Sequence, residues 1–484
     1  MVEGSGWNRK RTEAHPFTSQ FPNNQKGASM YGTWTGSIAE SLKGATKVVA
    51  TCLGLRESAE LLIFVDETTW EVGEILGKAA ETKGVHPTMV YVPARFQAGY
   101  VPGSELSLPI KKAIEACSAI ANCFNVLPEC MGFRIAVIKT CLAFRKKVGH
   151  MPGITEEILA KAVNIDYDFT TLQCHKLAMA LAKGREAELI STDEQGVCYS
   201  LKMDIGGWSR APVKSNGIIP DGVWGNIPGG EVYIAPVEGS AEGEIVVDGS
   251  LPGFVIPEGK QIKVSFENGR LASVFPKNYK AARLIFATKD LAEARGDPNW
   301  NNLGELGIGV NQNVKRLCGN PVLDEKKYGT AHIGLGNNDG YGGRVQSTVH
   351  LDIIVTSPEI RVDGKTILKG GHVTIDEGAW KENFETIVLD KGWVERFSGV
   401  SRTGAPTVKR GGLLHREWCP VKGRVNHMTV GNEKTAHLAL LLYEKIPMDK
   451  ALRRDELSRT LKMPEEMILR LVKVLDNYGL VRLH

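Results

Sequence analysis

Four segments in the second half of the chain concentrate side chains that can bind a metal ion. Glu231 lies in PGGEVYIAP, Glu305 in GELGIGVNQN and His332 in GTAHIGLG, while VHLDIIV contains His350 and Asp352. The last two are two residues apart in an apolar run that predicts a strand, so both side chains face the same way. Such a mixture of imidazoles and carboxylates suits Zn²⁺, Mn²⁺, Co²⁺ or Fe²⁺. By itself, however, an H-x-D pair is more often a hydrogen-bonded histidine beside a carboxylate.

The elements before these segments have an α/β pattern. Residues 61–66 (LLIFVD) and 88–92 (TMVYV) are apolar runs that predict strands, and the segment between them has helical spacing that ends at Gly84. A strand, a helix and a strand this close together predict a parallel pair with a right-handed crossover. Residues 110–122 and 171–183 predict further helices. We therefore expect a Rossmann-like scaffold, although the first strand is not followed by a G-x-G-x-x-G turn.

The composition changes near residue 205. From there to about residue 370 the chain is rich in Gly, Val, Ile and Asn, with short runs that predict strands. Asp248-Gly249 and Asn268-Gly269 are specific turn signals between such runs. This part is predicted to be a second, β-rich domain that carries the candidate metal ligands.

The end of the chain is similar to a winged helix-turn-helix module at residues 433–484. A winged helix suggests DNA binding through the second helix of the motif, here residues 464–478. That helix carries more acidic than basic side chains, so it lacks the positive charge that phosphate contacts need. We expect a packing or interaction role for the module, and nucleic acid is an unlikely partner.

These patterns together predict the fold class and the domain organisation. The expected fold is an N-terminal α/β domain with a parallel sheet, a β-rich α+β metal-binding domain and a small winged-helix-like C-terminal domain. The predicted segments are a polar arm (1–44), the Rossmann-like domain (45–205), the metal-binding domain (206–395), a connecting segment (396–432) and the winged-helix-like module (433–484).

Composition and charge narrow the class of protein. The chain has 484 residues, a formal net charge of +4 and 42% hydrophobic residues, as expected of a folded protein of several domains. The polar N-terminus lacks the apolar core of a secretory signal, and no run approaches the roughly 20 apolar residues of a membrane span. The nine cysteines contain no C-x-x-C pair, which favours reduced thiols. A cytoplasmic protein without a membrane partner is predicted.

The four metal-capable segments, with EGEIVVDGSLPG and SFENGR, resemble the signature of the aminopeptidase T family of metallopeptidases. Their order and approximate separations agree as well. The resemblance covers about residues 45–370 and is strong over 220–356. It implies a hydrolase with one or two divalent transition-metal ions, a peptide or small-molecule substrate and a homodimeric assembly.

The resemblance also implies roles for individual residues. The family's ligands fall on positions already named, with Glu305 as the expected bridge between two ions: Glu231, Glu305, His332, His350 and Asp352. Characterised members carry a tyrosine seven residues after the histidine of the third segment. In this chain Asp339 occupies that position and Tyr341 follows two residues later. Glu305, Asp339 and Tyr341 are therefore the candidate catalytic residues.

Two alternatives to a hydrolase stay open from the sequence. The 2,5-dihydroxypyridine dioxygenases resemble these peptidases but hold one Fe²⁺, and His332, His350 and Asp352 could form their two-histidine, one-carboxylate triad. The presence of both Glu231 and Glu305 favours the hydrolase, since a single iron needs neither. The second alternative is a binding or regulatory protein that has the scaffold without the activity.

Overall fold

A computed structural model describes residues 37–207 and 210–375, together with short pieces at 386–389, 452–453, 459 and 481–483. Residues 1–36 of the predicted arm and the connecting segment at 396–432 lie outside the described residues. The last part of the predicted arm is described, and an α-helix, Ile38–Lys47, begins there. So does nearly all of the predicted winged-helix-like module. None of the helices in the described part has the length and apolar character of a membrane span.

The helices cluster in the first half of the described chain. Two π-helical turns, Val48–Cys52 and Leu159–Val163, directly follow the first and sixth α-helices. The α-helices are α1 (Ile38–Lys47), α2 (Trp70–Thr82), α3 (Ala94–Ala98), α4 (Leu108–Ala116), α5 (Met131–Ala143), α6 (Glu156–Ile158), α7 (Tyr167–Lys183), α8 (Lys280–Ala294) and α9 (Pro321–Asp324).

The strands run through the whole described chain. In order they are β1 (Glu60–Val65), β2 (His86–Tyr91), β3 (Ala119–Asn122), β4 (Lys147–His150), β5 (Glu186–Thr192), β6 (Cys198–Asp204), β7 (Val213–Ser215), β8 (Trp224–Asn226), β9 (Glu231–Ile234), β10 (Glu242–Val247), β11 (Ser250–Leu251), β12 (Phe254–Val255), β13 (Ile262–Glu267), β14 (Arg270–Phe275), β15 (Leu303–Gly309), β16 (Ala331–Gly336), β17 (His350–Val355), β18 (Glu359–Val362), β19 (Lys365–Lys369), β20 (His372–Val373), β21 (Thr386–Leu389), β22 (Leu452–Arg453) and β23 (Val481–Leu483).

The first sheet is parallel, as predicted, with strand order β2-β1-β3-β4-β8. After its first residue β1 is buried throughout, because helices cover both faces of a parallel sheet. The helix between β1 and β2 ends at Thr82, and Gly84 has the positive φ of +68° that favours glycine after a helix. The parallel pair with a connecting helix, predicted from LLIFVD and TMVYV, is confirmed.

One helix prediction is half wrong. The helix expected over residues 110–122 ends at Ala116, and Ala119–Asn122 forms β3 between β1 and β4. The run AIAN is too short to distinguish a buried strand from a helix by periodicity, and its place between two strands decides the outcome. The helix expected over residues 171–183 is confirmed as part of α7.

Two large antiparallel sheets and a two-stranded one, β11-β12, follow the parallel sheet. The larger has eight strands in the order β14-β13-β10-β6-β5-β18-β19-β20, and the smaller has five in the order β17-β16-β15-β9-β7. Asn268 and Gly269 connect β13 to β14, both with positive φ (49° and 72°), as the predicted hairpin turn requires. The strands β21, β22 and β23 form a separate three-stranded antiparallel sheet.

The sheets exchange strands across residue 205, where the composition changes. β5 and β6 lie before that residue but belong to the eight-stranded sheet, whereas β8 lies after it and pairs with β4. The amino-acid composition of a segment reflects whether the segment is helical or extended. It does not determine with which distant strand the segment pairs. The predicted domain division therefore does not coincide with the border between the sheets.

The two antiparallel sheets share one apolar core. Leu306 and Ile308 of β15, with Ile333 of β16 and Ile353 of β17, are fully buried in it. Each such side chain contributes roughly 1.5–3 kcal/mol through burial. Because strand side chains alternate between faces, the intervening residues of these strands lie on the opposite face. That face carries the candidate metal ligands.

Candidate metal centre

The five predicted ligands lie on four adjacent strands of the five-stranded sheet. Glu231 begins β9, Glu305 lies near the start of β15, His332 is the second residue of β16, and β17 contributes His350 and Asp352. The sheet order β17-β16-β15-β9 makes these strands consecutive neighbours. The structure thus brings together on one surface residues that are up to 121 positions apart in the sequence (352 − 231).

Glycines on the neighbouring strands leave room for the ligand side chains. Gly307 lies opposite His332, and a β-carbon on Gly307 would stand 1.9 Å from the imidazole Nε2. Gly334 lies opposite Glu305 and Asp352, and a β-carbon there would come within 2.8 Å of the Glu305 Cβ. Any larger residue at Gly307 would push the imidazole away. These glycines are features of the site that the sequence analysis missed, although Gly307 lies in GELGIGVNQN and Gly334 in GTAHIGLG, the segments that carry Glu305 and His332.

The Glu305 carboxylate lies between the two imidazoles. Its Oε1 is 3.1 Å from His332 Nε2, and its Oε2 is 3.6 Å from His350 Nε2. His332 Nε2 is also 3.7 Å from Glu231 Oε2, and His350 Nε2 is 3.3 Å from Asp352 Oδ1. One carboxylate therefore faces two separate groups, each made of an imidazole and a further acid.

The donor set fits a divalent transition metal. Glu305, His350 and Asp352 each offer one ligand atom, and these atoms lie within 4.8 Å of one another. Beyond its ion pair with His350 Nε2, buried Asp352 Oδ1 accepts no hydrogen bond of good geometry among the described residues. A buried carboxylate oxygen without a donor is costly unless a cation satisfies it. Two carboxylates and an imidazole suit zinc, manganese, cobalt or iron.

A buried lysine beside Glu231 is the main residue of the candidate metal centre that the sequence analysis missed. Lys326 is fully buried, its Nζ lies 3.2 Å from Glu231 Oε1, and it also pairs with Glu325. The residues lie just after α9 in the charged run DEKK, which is typical of a solvated turn. Only the tertiary structure, which folds this turn under β9, shows that the ammonium neutralises buried acids.

The surrounding acids control the protonation of the histidines. Burial alone would lower the pKa of His332, but the hydrogen bond to Glu305 and the charges of Asp352, Glu305 and Glu231 raise it to about 9. His350 shows the same balance, and its neighbours raise its pKa well above the usual range. Burial would raise the pKa of Asp352, yet His350 holds it well below its usual value. Without a metal the site is therefore a set of ion pairs.

The pKa of Glu325 is raised, in contrast to the lowered pKa of Asp352. Burial and the charges of Glu231 and Asp352 raise the pKa of its carboxyl to about 8, although the ammonium of Lys326 opposes them. Lys326 is itself held in the charged form, because Glu231 and Glu325 outweigh the effect of burial and raise its pKa. The acids around Lys326 outnumber the positive charge that it supplies.

Tyr341 lies against the ligands, whereas Asp339 does not. The Tyr341 ring packs edge-on against Tyr233 and His350, with centroids 5.2 and 6.2 Å away, and its hydroxyl donates to the carbonyl of Asn337 at 2.9 Å. Asp339 is exposed on a 3₁₀ turn and accepts a hydrogen bond from Gln346 at 3.3 Å. Burial, Glu305 and Asp352 raise the pKa of Tyr341 far above its ordinary value, so the phenol keeps its proton.

The family signature coincides with this sheet. The model of the thermophilic metalloproteases (M29) matches residues 213–380, which begin at β7 and include all five candidate ligands. This match confirms the resemblance to the aminopeptidase T metallopeptidases over the strands that carry the candidate metal ligands. Strands β1–β4 precede the M29 segment.

Two solved structures share the fold beyond the M29 segment. The 2,5-dihydroxypyridine dioxygenase from Pseudomonas putida KT2440 has 18% identity and a TM-score of 0.55, and covers 71% of this chain and 99% of its own. Wild-type AmpT from Thermus thermophilus has 15% identity and a TM-score of 0.50, and covers 70% of this chain and 100% of its own. At such identities these likenesses establish the fold alone. No curated protein matches the chain significantly.

Proposed function

We propose that the chain is a metal-dependent hydrolase of the aminopeptidase type, which removes N-terminal residues from peptides or cleaves a related amide. The observation that carries the proposal is the Glu305 carboxylate, which faces His332 on one side and His350 on the other. A carboxylate between two imidazole-and-acid groups suits a bridging ligand of two ions. The M29 match over the same strands supports this choice.

The proposed cofactor is one or two divalent transition-metal ions, such as Zn, Co, Mn or Fe. Glu305, His350 and Asp352 would hold one ion, and Glu305 with Glu231 and His332 would hold a second. When bound, such ions polarise a carbonyl and lower the pKa of a water molecule, which supplies the nucleophile for amide hydrolysis. Lys326 would pair with Glu231 and hold its carboxylate oriented toward His332.

We assign the position of the family tyrosine to Tyr341 rather than to Asp339. Its neutral phenol lies beside His350, and a rotation of its hydroxyl away from Asn337 would allow it to donate to a substrate oxygen. A positioned donor of this kind stabilises the negative charge that develops during acyl transfer. The exposed carboxylate of Asp339 cannot donate in this way when ionised.

Geometry disfavours the dioxygenase alternative. A two-histidine, one-carboxylate iron site would use His332, His350 and Asp352, and leave open positions for oxygen and substrate. Here Glu305 stands between the two imidazoles, 3.1 Å from His332. A non-catalytic protein on the same scaffold remains the other alternative. The homodimer and the cytoplasmic location also stay predictions.

Metal analysis of the anaerobically purified chain, followed by a substrate panel, tests the proposal. We expect one or two transition-metal ions per chain and release of the N-terminal residue from short peptides. Oxygen-dependent cleavage of a hydroxylated pyridine would instead establish the dioxygenase. A folded chain that neither contains a transition metal nor gains activity when one is added would refute both enzymes.

Two substitutions locate the activity. Glu305→Gln and His350→Ala should abolish hydrolysis while the chain stays folded, because each removes a proposed ligand. Glu267→Gln and His372→Ala are matched controls, since both residues are exposed on strands of the larger sheet. Unchanged rates in Glu305→Gln and His350→Ala would show that the assigned site is wrong.

A further inference from the structure

A row of polar side chains lies at the carboxyl end of the parallel sheet. Asn122 is the last residue of β3, His150 the last of β4 and Asn226 the last of β8. Asn122 pairs with His150, and His150 pairs with Asn226, so the three lie side by side across adjacent strands. Residues paired in this way point to the same face of a sheet. We call these three residues the edge row.

Several polar atoms in and beside the edge row lack a partner. Asn122 is completely buried, and neither its Oδ1 nor its Nδ2 has a hydrogen-bond partner among the described residues. The same holds for His150 Nδ1 and for the Nε of Arg134 on α5. A buried polar atom without a partner costs about 1–3 kcal/mol, so such atoms are rare in folded proteins. Asn122 and His150 carry three such atoms on paired residues, which supports a ligand site at this end of the sheet.

Arg134 gives this site a positive charge. It is only 9% exposed, and its Nη1 donates to the backbone carbonyl of Asn125. Within the described ranges the guanidinium forms no ion pair with a carboxylate. Nearby Asp66 already accepts hydrogen bonds from Asn125, Gln97 and Thr68, among others. A buried cation of this kind is matched by an anionic ligand.

The edge row lies close to the metal centre along the chain. Asn226 at its end is followed by residues 227–230 and then by Glu231, and five residue steps span at most about 18 Å. Ile227 N also donates to the carbonyl of His150 at 2.9 Å. Burial lowers the pKa of His150 to about 3, and the positive charges of Arg134 and Lys326 contribute. His150 therefore lies within electrostatic range of the lysine that pairs with Glu231.

The topology places a ligand site at the same edge. From β1 the chain passes to β2 on one side of the sheet and then to β3 on the other, so the sheet has a switch point between β1 and β3. Ligands of such sheets bind at the carboxyl ends of the strands near the switch point. β1 is followed by Asp66-Glu67 rather than by a glycine-rich turn, which disfavours a phosphate.

We infer that Arg134, Asn122 and His150 form a carboxylate-binding subsite, which holds the C-terminal carboxylate of a short peptide while its N-terminal residue lies at the metal centre. This inference rests on the proposed function and narrows its substrates to short peptides with a free carboxylate. Arg134 supplies the charge, and the Asn122 amide and the neutral His150 imidazole supply hydrogen bonds. No bond changes at this subsite; it positions the substrate.

A pair of peptides tests the subsite by binding. The probes are leucyl-glycyl-glycine and its C-terminal amide, titrated calorimetrically into the full chain that carries Glu305→Gln and does not hydrolyse them. We expect the free acid to bind about tenfold to a hundredfold more tightly than the amide, as a charge-assisted hydrogen bond predicts. Equal Kd values for the two peptides would overturn the inference. This comparison needs no further variant, so it stays valid if Arg134 variants fail to fold.

Variants at α5 then assign the preference to one residue. Arg134→Met should remove the preference for the free acid, and Arg134→Lys should keep part of it. Lys139→Met removes the same charge from an exposed position of the same helix and should change neither Kd. A preference that survives in a folded Arg134→Met variant would contradict the inference.

The two proposals fail in different ways. Steady-state kinetics on the zinc-loaded natural chain should show the free-acid preference mainly in KM. If peptides are hydrolysed without such a preference, the subsite is wrong and the proposed function stands. If the free acid binds through Arg134 but no peptide is hydrolysed, the proposed function is wrong and the carboxylate subsite stands.

Discussion

Gly307 of β15 lies directly opposite His332 of β16, so close that a β-carbon on the glycine would stand 1.9 Å from the imidazole Nε2. The imidazole can therefore occupy its position between Glu231 and Glu305 only if residue 307 has no side chain. A strand interior usually disfavours glycine, because glycine packs nothing and loses more backbone entropy than other residues. Here the missing side chain of Gly307 makes room for the imidazole of His332.

Gly307→Ala should impair metal binding more than stability. The methyl group would displace the His332 ring. We expect metal affinity to fall by about tenfold to a hundredfold, the usual effect of losing a residue that positions a metal ligand. Competition titration against a chelator measures this change. Gly77→Ala on α2 is the control: its β-carbon meets only Pro87 at 3.9 Å, and a helical alanine should stabilise by up to about 1 kcal/mol. Equal metal affinity in both variants would refute the steric argument.

Tyr341 and Asp339 should differ in their effect on turnover. Tyr341→Phe removes only the hydroxyl, and we expect kcat to fall by about a hundredfold, as for the loss of one donor to a developing oxyanion. Asp339→Asn should change kcat by less than about twofold, because the residue is exposed and bonds to Gln346. Metal content, measured in parallel, should be unchanged in both. The reverse order of effects would assign the role to Asp339.

Metal affinity should rise with pH between about 6.5 and 9. In the metal-free chain the acids around His332 raise its pKa from 6.5 to about 9, and a metal ion must displace that proton. Each displaced proton increases the apparent affinity about tenfold per pH unit in this window. The same shift stabilises the metal-free fold fully below pH 6.5, and that contribution is lost as the pH rises through about 9.

Calorimetric zinc titrations across this pH range check the prediction. Buffers with different ionisation enthalpies report the number of protons released. An affinity that does not change between pH 6.5 and 9 would show that His332 carries no proton before the metal binds.

Removal of the buried ammonium should destabilise the fold. Lys326→Met leaves Glu231 and Glu325 buried without their cation, and breaking a buried pair in this way typically costs about 3–5 kcal/mol. Denaturant unfolding of the metal-free chain measures the loss. Lys365→Met, at the exposed first position of β19, should change stability by less than about 0.5 kcal/mol. A similar small effect of Lys326→Met would mean that another group neutralises Glu231.

Local pattern was sufficient for most of the elements. The apolar alternation in GELGIG and HLDIIV predicts which residues share a face, because strand side chains alternate with a period of two. It failed at residues 119–122, where four residues are compatible with either a strand or a helix and the neighbouring strands decide. The exchange of strands between the sheets could not be predicted from local pattern either, because strand pairing joins residues that are far apart in the sequence.

By itself, the sequence determined the types of the candidate ligands, their order and their faces, and the motifs that carry them resemble the family whose model matches residues 213–380. The tertiary structure alone decided that Glu305 stands between two imidazoles, that Tyr341 rather than Asp339 packs beside them, and that Lys326 lies under Glu231. These relations depend on strand register and on which loops are buried. Both are set by contacts between residues that are far apart in the chain. Charge and spacing are local properties, whereas desolvation is a property of the folded neighbourhood.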